Sequence, residues 1–399
     1  MKLSPVARVS LVACLVLLAA CEGSARGTDA GTDAPATVDA SLRDSPAVVD
    51  SQAPDGSPPP TDGGGLPARF PGATWDRRTP EEAGLSSTAL DALRDHVGGR
   101  AVVVRGGTIV YGWGDEARRA DVASAAKPIY AHFLYEAVEE GRIASVDALV
   151  VDTEPRLGSI NAALGFKDRE MRWRHLANQT SCYGVSESPG TAFDYNDWQM
   201  ALFWDSLFLG VYGSSYAGVD ADVFQDRLCA IIRCEDDPTF MAFGTGDRPG
   251  RVAISVRDFA RFGLLYLHEG TWDGTQIIPR DVARMAVASP LPGAFPRTTA
   301  IEAEMIPGRR TIGSSSVPDD QTDHMGSYSW LWWTNGVDRS GVRHWPDAPE
   351  DTYGAFGHGG PRAMIVIPSL DLILSWNDAT VNSRDAENEA LRRLVAAVL

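Results

Sequence analysis

The stretch 121–130, DVASAAKPIY, sets Ser124 and Lys127 three residues apart at a helix start. Pro128 has no N–H and is tolerated only in the first turn of a helix. The apolar run that follows, as far as Gly141, therefore reads as a helix beginning at about Ser124. Residues three apart at such a start share one face. The positive end of the helix disfavours an ammonium and stabilises an alkoxide-like serine. The first N–H groups have no acceptor inside the helix, so the Ser124 amide can face an oxyanion. Lysine is scarce: of the 36 basic residues only Lys2, Lys127 and Lys167 are lysines. Arginine serves nearly every other need for positive charge. What lysine can do and arginine cannot is lose its proton when buried, and a serine hydroxyl needs such an acceptor to become a nucleophile. A serine cap near a lysine is also a common helix start, so the pair needs partners elsewhere.

Two other stretches supply candidates. In SPGTAFDYNDWQMALF a Pro189-Gly190-Thr191 turn precedes Tyr195-Asn196-Asp197. A phenol near an ammonium can shuttle protons, and an acid two residues on can bind the lysine or a substrate. The same tripeptide in a loop is commonly a turn with a packed tyrosine. In YGAFGHGGPRAMIVIP closely spaced glycines and His358 precede a strand, as where a backbone must approach a ligand. A glycine-rich loop before an edge strand reads the same way.

Together these stretches give the chain a resemblance to the serine β-lactamase-related family: class C β-lactamases, penicillin-binding DD-peptidases, and the esterases and amide hydrolases sharing their fold. It covers roughly residues 77–399. The order of features carries it: TPEEAGL before a helix, a hairpin, Ser-x-x-Lys, WRHLANQTS, PGTAFDYND, VRDFARFGLLYLHEGTWDGTQIIP, then the Gly/His loop and terminal strands. The resemblance implies Ser124 as nucleophile, Lys127 as its proton partner and Tyr195 as the tyrosine of a Tyr-x-Asn element. Asp197 stands where class C enzymes have Asn; an extra carboxylate there would meet an anionic substrate, which favours the esterase- and amidase-like branches. In the third motif, His358-Gly359-Gly360-Pro361 would put a proline, without an N–H, at the oxyanion donor position. Ala355-Phe356-Gly357-His358 instead makes the His358 amide the donor and is preferred, with Gly357 and Gly359 at the substrate. No Lys or Arg heads this motif, so the cation that would bind a β-lactam carboxylate is missing. Cys182 takes a place where relatives usually have Gly, and Tyr183 beside it either lines the pocket or packs on the core.

The rest of the chain sets the frame. Its 399 residues suffice for a large core, and a net charge of −17 argues against nucleic acid and against docking on anionic lipid. Lys2 and Arg8 precede a twelve-residue apolar run, 9–20, too short to span a bilayer. A basic start, short apolar core and small residues mark residues 1–20 as a signal peptide, and Leu18-Ala19-Ala20-Cys21 resembles a bacterial lipobox with Cys21 as the lipidated mature N-terminus. Plain secretion is the alternative. Residues 21–68, rich in Asp, Ala, Pro and Gly, cannot bury a core and are expected to form a disordered tether, with ends about 35–40 Å apart. The folded domain is expected at 69–399. Export permits disulfides, and Cys229 and Cys234 are near enough in sequence to pair; Cys182 then stays a free, partly buried thiol. No spacing of His, Cys or acidic residues suggests a metal, and no cofactor is implied.

LSSTALDALRDHV and SVRDFARFGLLYLHEG read as helices, RAVVVRGGTIVYGW as a hairpin, YSWLWWTN, RAMIVIP and LDLILSWND as strands, and 384–398 as a closing helix. Strands at both ends with helices between predict an α/β, β-lactamase/transpeptidase-like fold: an antiparallel sheet from both termini flanked by helices, with an inserted, mostly helical subdomain. The expected activity is serine hydrolysis of a small ester or amide outside the cytoplasm. A DD-peptidase acting on peptidoglycan fragments, or a silent ligand-binding lipoprotein of the same fold, are the alternatives. The lipid would anchor the protein at the cell envelope, and with Glu22 rather than Asp after Cys21, resemblance to lipoprotein sorting in Gram-negative cells implies the outer membrane. Oligomeric state is not legible.

Overall fold

Ser86 accepts a hydrogen bond from the Ala89 N–H and so starts α1 (Ser87–Val97), which buries Leu90, Leu93 and Val97. β1 (Arg100–Arg105) and β2 (Thr108–Trp113) follow as the expected hairpin. Its turn needs positive φ at both central residues, which Gly106 and Gly107 adopt at 59° and 66°. β3 (Ala120–Asp121) leads into a tight 3-10 turn, Ala123–Ala126, and α2 (Lys127–Glu139) continues from it with Pro128 in its first turn. The structure is a computed structural model that describes residues 69–243, 246–317 and 322–399, all within one unit, Gly64–Leu399. The expected signal peptide, Cys21 and the tether lie outside the described residues.

The middle of the chain is largely helical, as expected. α3 (Trp173–Ala177) and α4 (Asp197–Trp204) come first, and wider π-helical turns at Asp205–Val211 and Asp220–Cys229 lead to the short α5 (Ala230–Ile232). β4 (Thr239–Ala242) and β5 (Pro249–Ile254) join β3 in a small sheet, ordered β3-β5-β4. α6 (Val256–Leu267) is capped by Ser255, and β6 (Thr271–Trp272), β7 (Thr275–Gln276) and α7 (Arg280–Ala288) complete the region.

The chain then returns to the main sheet through β8 (Tyr328–Ser329), β9 (Trp332–Thr334), β10 (Tyr353–Gly357), β11 (Arg362–Ile367) and β12 (Leu372–Asn377), and ends with α8 (Arg384–Ala396). The order is β2-β1-β12-β11-β10-β9-β8, antiparallel throughout, so the first and last strands of the domain in chain order, β1 and β12, pair side by side. YSWLWWTN is not one strand. It folds back on itself at Trp330 and Leu331, both at positive φ, where the Trp330 N–H donates to the Asn178 side chain at 2.9 Å.

Alternation along the central strands explains the layers. Val102, Val104, Met364, Val366 and Ile373 face one core with α6, while Val103, Ile365, Leu372 and Leu374 face the other with α1 and α8. Gly263 lets α6 approach β11, because a Cβ there would sit 2.6 Å from Met364 Sδ. Cys229 and Cys234 are neighbours but free thiols, so the expected bridge is not formed. The helix ends between them at Arg233, whose left-handed φ turns the chain so that the Cys234 amide donates to the Cys229 carbonyl at 2.9 Å. Their side chains hydrogen bond, which together with burial raises the Cys234 thiol pKa. Cys182 is fully buried, and burial pushes its thiol up to about 11.

Candidate active site

Asp121, at the end of β3, shapes the turn that carries Ser124. Its carboxylate accepts the Ala123 N–H at 2.7 Å and pairs with Arg251 from β5, at 2.6 Å and 3.0 Å. Ala123 is thereby held at φ 51°, an unusual conformation for a residue with a Cβ. Ser124 follows, half-buried at the floor of a cleft of about 930 Å³. One turn on, Lys127 is buried and donates from Nζ to Ser124 Oγ at 2.9 Å.

The second stretch arrives from the start of α4. Asn196 caps that helix by accepting the Trp198 and Gln199 N–H groups, and its amide donates to the Tyr183 carbonyl, so it faces away from Ser124. Tyr195, one residue earlier, places its ring centroid 4.6 Å from Lys127 Nζ. Asp197 begins α4, where the helix end favours a carboxylate. Its Oδ1 lies 3.7 Å from Lys127 Nζ and its Oδ2 accepts the Ser314 N–H at 2.8 Å. Gly313 leaves room for that carboxylate, since a Cβ there would collide with it.

These charges settle a point the residue types left open. Burial pulls the Lys127 pKa down, but Tyr195 and Asp197 together more than offset it, and the net shift is upward. The Tyr195 and Asp197 charges thus favour the ammonium form of Lys127 against the pull of burial.

The third stretch closes the floor. β10 ends at Gly357, which packs directly on the nucleophile turn. A Cβ there would collide with the Val122 carbonyl oxygen and lie 3.3 Å from the Ala125 nitrogen. Gly357 is thus a close-approach residue and does not line the cleft as expected. His358 comes next, at φ 55° and solvent-exposed, and lines the cleft with Gly359. Burial first, then Arg362 and Arg251, lower the His358 pKa, which keeps the imidazole neutral. Tyr183 does not reach the cleft. It is fully buried, its hydroxyl accepts the Ile306 N–H at 2.9 Å, and burial pushes its pKa up to about 12.

Sequence reasoning missed the cations of the cleft. No Lys or Arg heads the third motif, yet Arg251 from β5 and Arg384 from α8 both line the cleft. Nothing in their local sequence marks them, because they arrive from segments that only folding brings together. The aromatic wall of Trp333, His344 and Phe356 and the buried Glu387 were missed for the same reason. Among the described residues no group of three or more His, Cys, Asp or Glu could hold a metal ion.

No family model matches the chain, and no curated protein does. Solved structures do. A Bacillus anthracis protein described as a 6-aminohexanoate-dimer hydrolase is 17% identical with a TM-score of 0.54, over 83% of this chain and 87% of that one. A penicillin-binding protein homolog from Caulobacter crescentus is 14% identical with a TM-score of 0.52, over 79% and 99%. A class C β-lactamase from Rhodobacter sphaeroides is 16% identical with a TM-score of 0.51, over 79% and 99%. The chain has the fold of the serine β-lactamases and penicillin-binding proteins.

Proposed function

We propose that the protein is a serine hydrolase that cleaves an ester or amide through an acyl-enzyme on Ser124. The observation that carries this reading is the 2.9 Å hydrogen bond from Lys127 Nζ to Ser124 Oγ, with Tyr195 and Asp197 gathered around the same ammonium at the floor of the cleft. Lys127, held as an ammonium, stabilises the serine oxygen as it becomes nucleophilic. Once the Lys127–Tyr195 pair has given up one proton to solvent, the Tyr195 phenolate oxygen accepts the Ser124 proton and, as the phenol, returns it to the leaving group. The amides of Ser124, at a helix start, and of His358, beside Gly357, serve as oxyanion donors. Water attacks the acyl-enzyme through the same proton path in reverse.

The substrate is a small ester or amide, or a peptidoglycan fragment. The leader at residues 1–20 and Cys21 support encounter outside the cytoplasm, with the protein lipid-anchored at the envelope. The test is labelling with a fluorophosphonate probe followed by mass spectrometry. A single adduct on Ser124, lost in Ser124→Ala together with hydrolysis of a simple aryl ester, is the expected result. Hydrolysis that survives in Ser124→Ala would overturn the nucleophile.

A further inference from the structure

The cleft has an arm beyond the nucleophile, between β9, β10 and the start of α8, lined by Met325, Trp333, His344, Phe356, Arg384 and Glu387. We propose that this arm is a subsite for the ammonium group of an amine-bearing substrate, with Glu387 as its counter-ion. The substrate role rests on the hydrolase reading above; the binding site does not.

Glu387 is 6% exposed, and the Trp345 indole N–H donates to its Oε2 at 3.2 Å. The other carboxylates lining the cleft are matched: Asp197 by Lys127, and Asp323 by Arg339 at 2.6 Å. Glu387 makes no ion pair among the described residues. A buried carboxylate is costly unless a cation meets it. His344 is 8% exposed, and its Nδ1, in the cleft wall, has no hydrogen-bond partner among the described residues. It stacks on Trp333 with ring centroids 5.6 Å apart. Phe356 lines the same cleft, and indole and phenyl rings are groups that attract a cation.

The surrounding charges set the terms. Burial pushes the Glu387 pKa up to about 7, and the Trp345 hydrogen bond and the nearby Arg384 pull it back. Arg384, exposed at the first residue of α8, favours the carboxylate form, and as a cation in the same wall it also opposes an ammonium, so the subsite requires the Glu387 charge to outweigh it. Burial, aided by Arg384 and opposed by Asp338, lowers the His344 pKa to about 3, so this imidazole is neutral and does not repel an ammonium. The net charge of −17 draws cations to the surface generally.

The experiment is calorimetric titration of the full chain carrying Ser124→Ala with benzylammonium, benzyl alcohol and phenylacetate. At a pH above the Glu387 ionisation, benzylammonium should bind about tenfold or more tighter than benzyl alcohol, from one charge-assisted hydrogen bond. That gap should close well below the ionisation, and close again in Glu387→Gln, which keeps an acceptor for Trp345 without the charge. Benzyl alcohol binding as tightly as benzylammonium, phenylacetate binding tightest, or a gap indifferent to both pH and the Gln variant would overturn the proposal. The pH arm needs no new variant, so it decides the matter even if Glu387→Gln misfolds. Turnover is measured separately on the unsubstituted chain. Ammonium-selective binding without hydrolysis of any ester would end the hydrolase reading and leave the subsite standing.

Discussion

Asp197→Asn probes the charge balance on which Ser124 depends. Asp197 Oδ1 stands 3.7 Å from Lys127 Nζ, and both side chains are buried, 12% and 4% exposed. At that distance the attraction between unit charges is about 4.5 kcal/mol at an effective dielectric of about 20, and about 1 kcal/mol in bulk water. For Ser124 to be activated, the Lys127–Tyr195 pair must give up one proton and so supply a base. The Asp197 charge opposes that loss, because it stabilises the more protonated, more positive state. Removing it should therefore move the acid limb of the kcat/KM profile to lower pH. The assay is the pH dependence of aryl-ester hydrolysis by both proteins, with their melting temperatures compared to ensure both are folded. The maximal rate is also expected to fall, since Asp197 anchors Ser314, but the position of the limb is the decisive readout. A limb that stays in place, or moves to higher pH, would refute the charge argument.

Three further outcomes are expected. Gly357→Ala should lower kcat by at least about tenfold while the fold persists, because the new Cβ would force β10 away from the Val122–Ala125 turn and displace the oxyanion donors; wild-type kinetics in this variant would refute the close-packing account. Lys127→Arg should lose at least about a hundredfold in kcat/KM, since the larger planar group cannot keep the 2.9 Å contact to Ser124 with the same partners; near-normal activity would show that any cation suffices. Glu387 titrates at about 7 when folded against an ordinary value of 4.5, so between those values the folded chain binds more protons than the unfolded one. Stability should then fall as pH rises through that window, by on the order of 3 kcal/mol from this group. Denaturant melts of the wild type and Glu387→Gln across the window should show that slope in the wild type and lose it in the variant; parallel slopes would refute the assignment.

Much of the architecture was legible because local rules carry it. The Gly106-Gly107 hairpin demands positive φ, Ser86, Ser255 and Ser383 cap the helices they precede, and period-two alternation marks β1, β11 and β12. YSWLWWTN misled because its turn at Trp330–Leu331 contains no glycine, asparagine or proline; a distant side chain, Asn178, holds it. Tyr183 could equally have lined the cleft or the core, and only packing decided that it meets Ile306.

The chain by itself determined the candidate chemistry: a Ser and a Lys one helical turn apart, a Tyr two residues before an acid, and glycines before a strand. Those features rest on short-range geometry, which sequence spacing encodes directly. The tertiary structure alone decided which charges act on Lys127, because Tyr195 and Asp197 lie some seventy residues away in sequence and beside it in space. It alone decided the cations and the acidic arm of the cleft as well. Arg251, Arg384 and Glu387 lie on elements that meet only when the first and last strands of the domain pair, and electrostatic energy depends on that distance in space and on burial, neither of which residue order records.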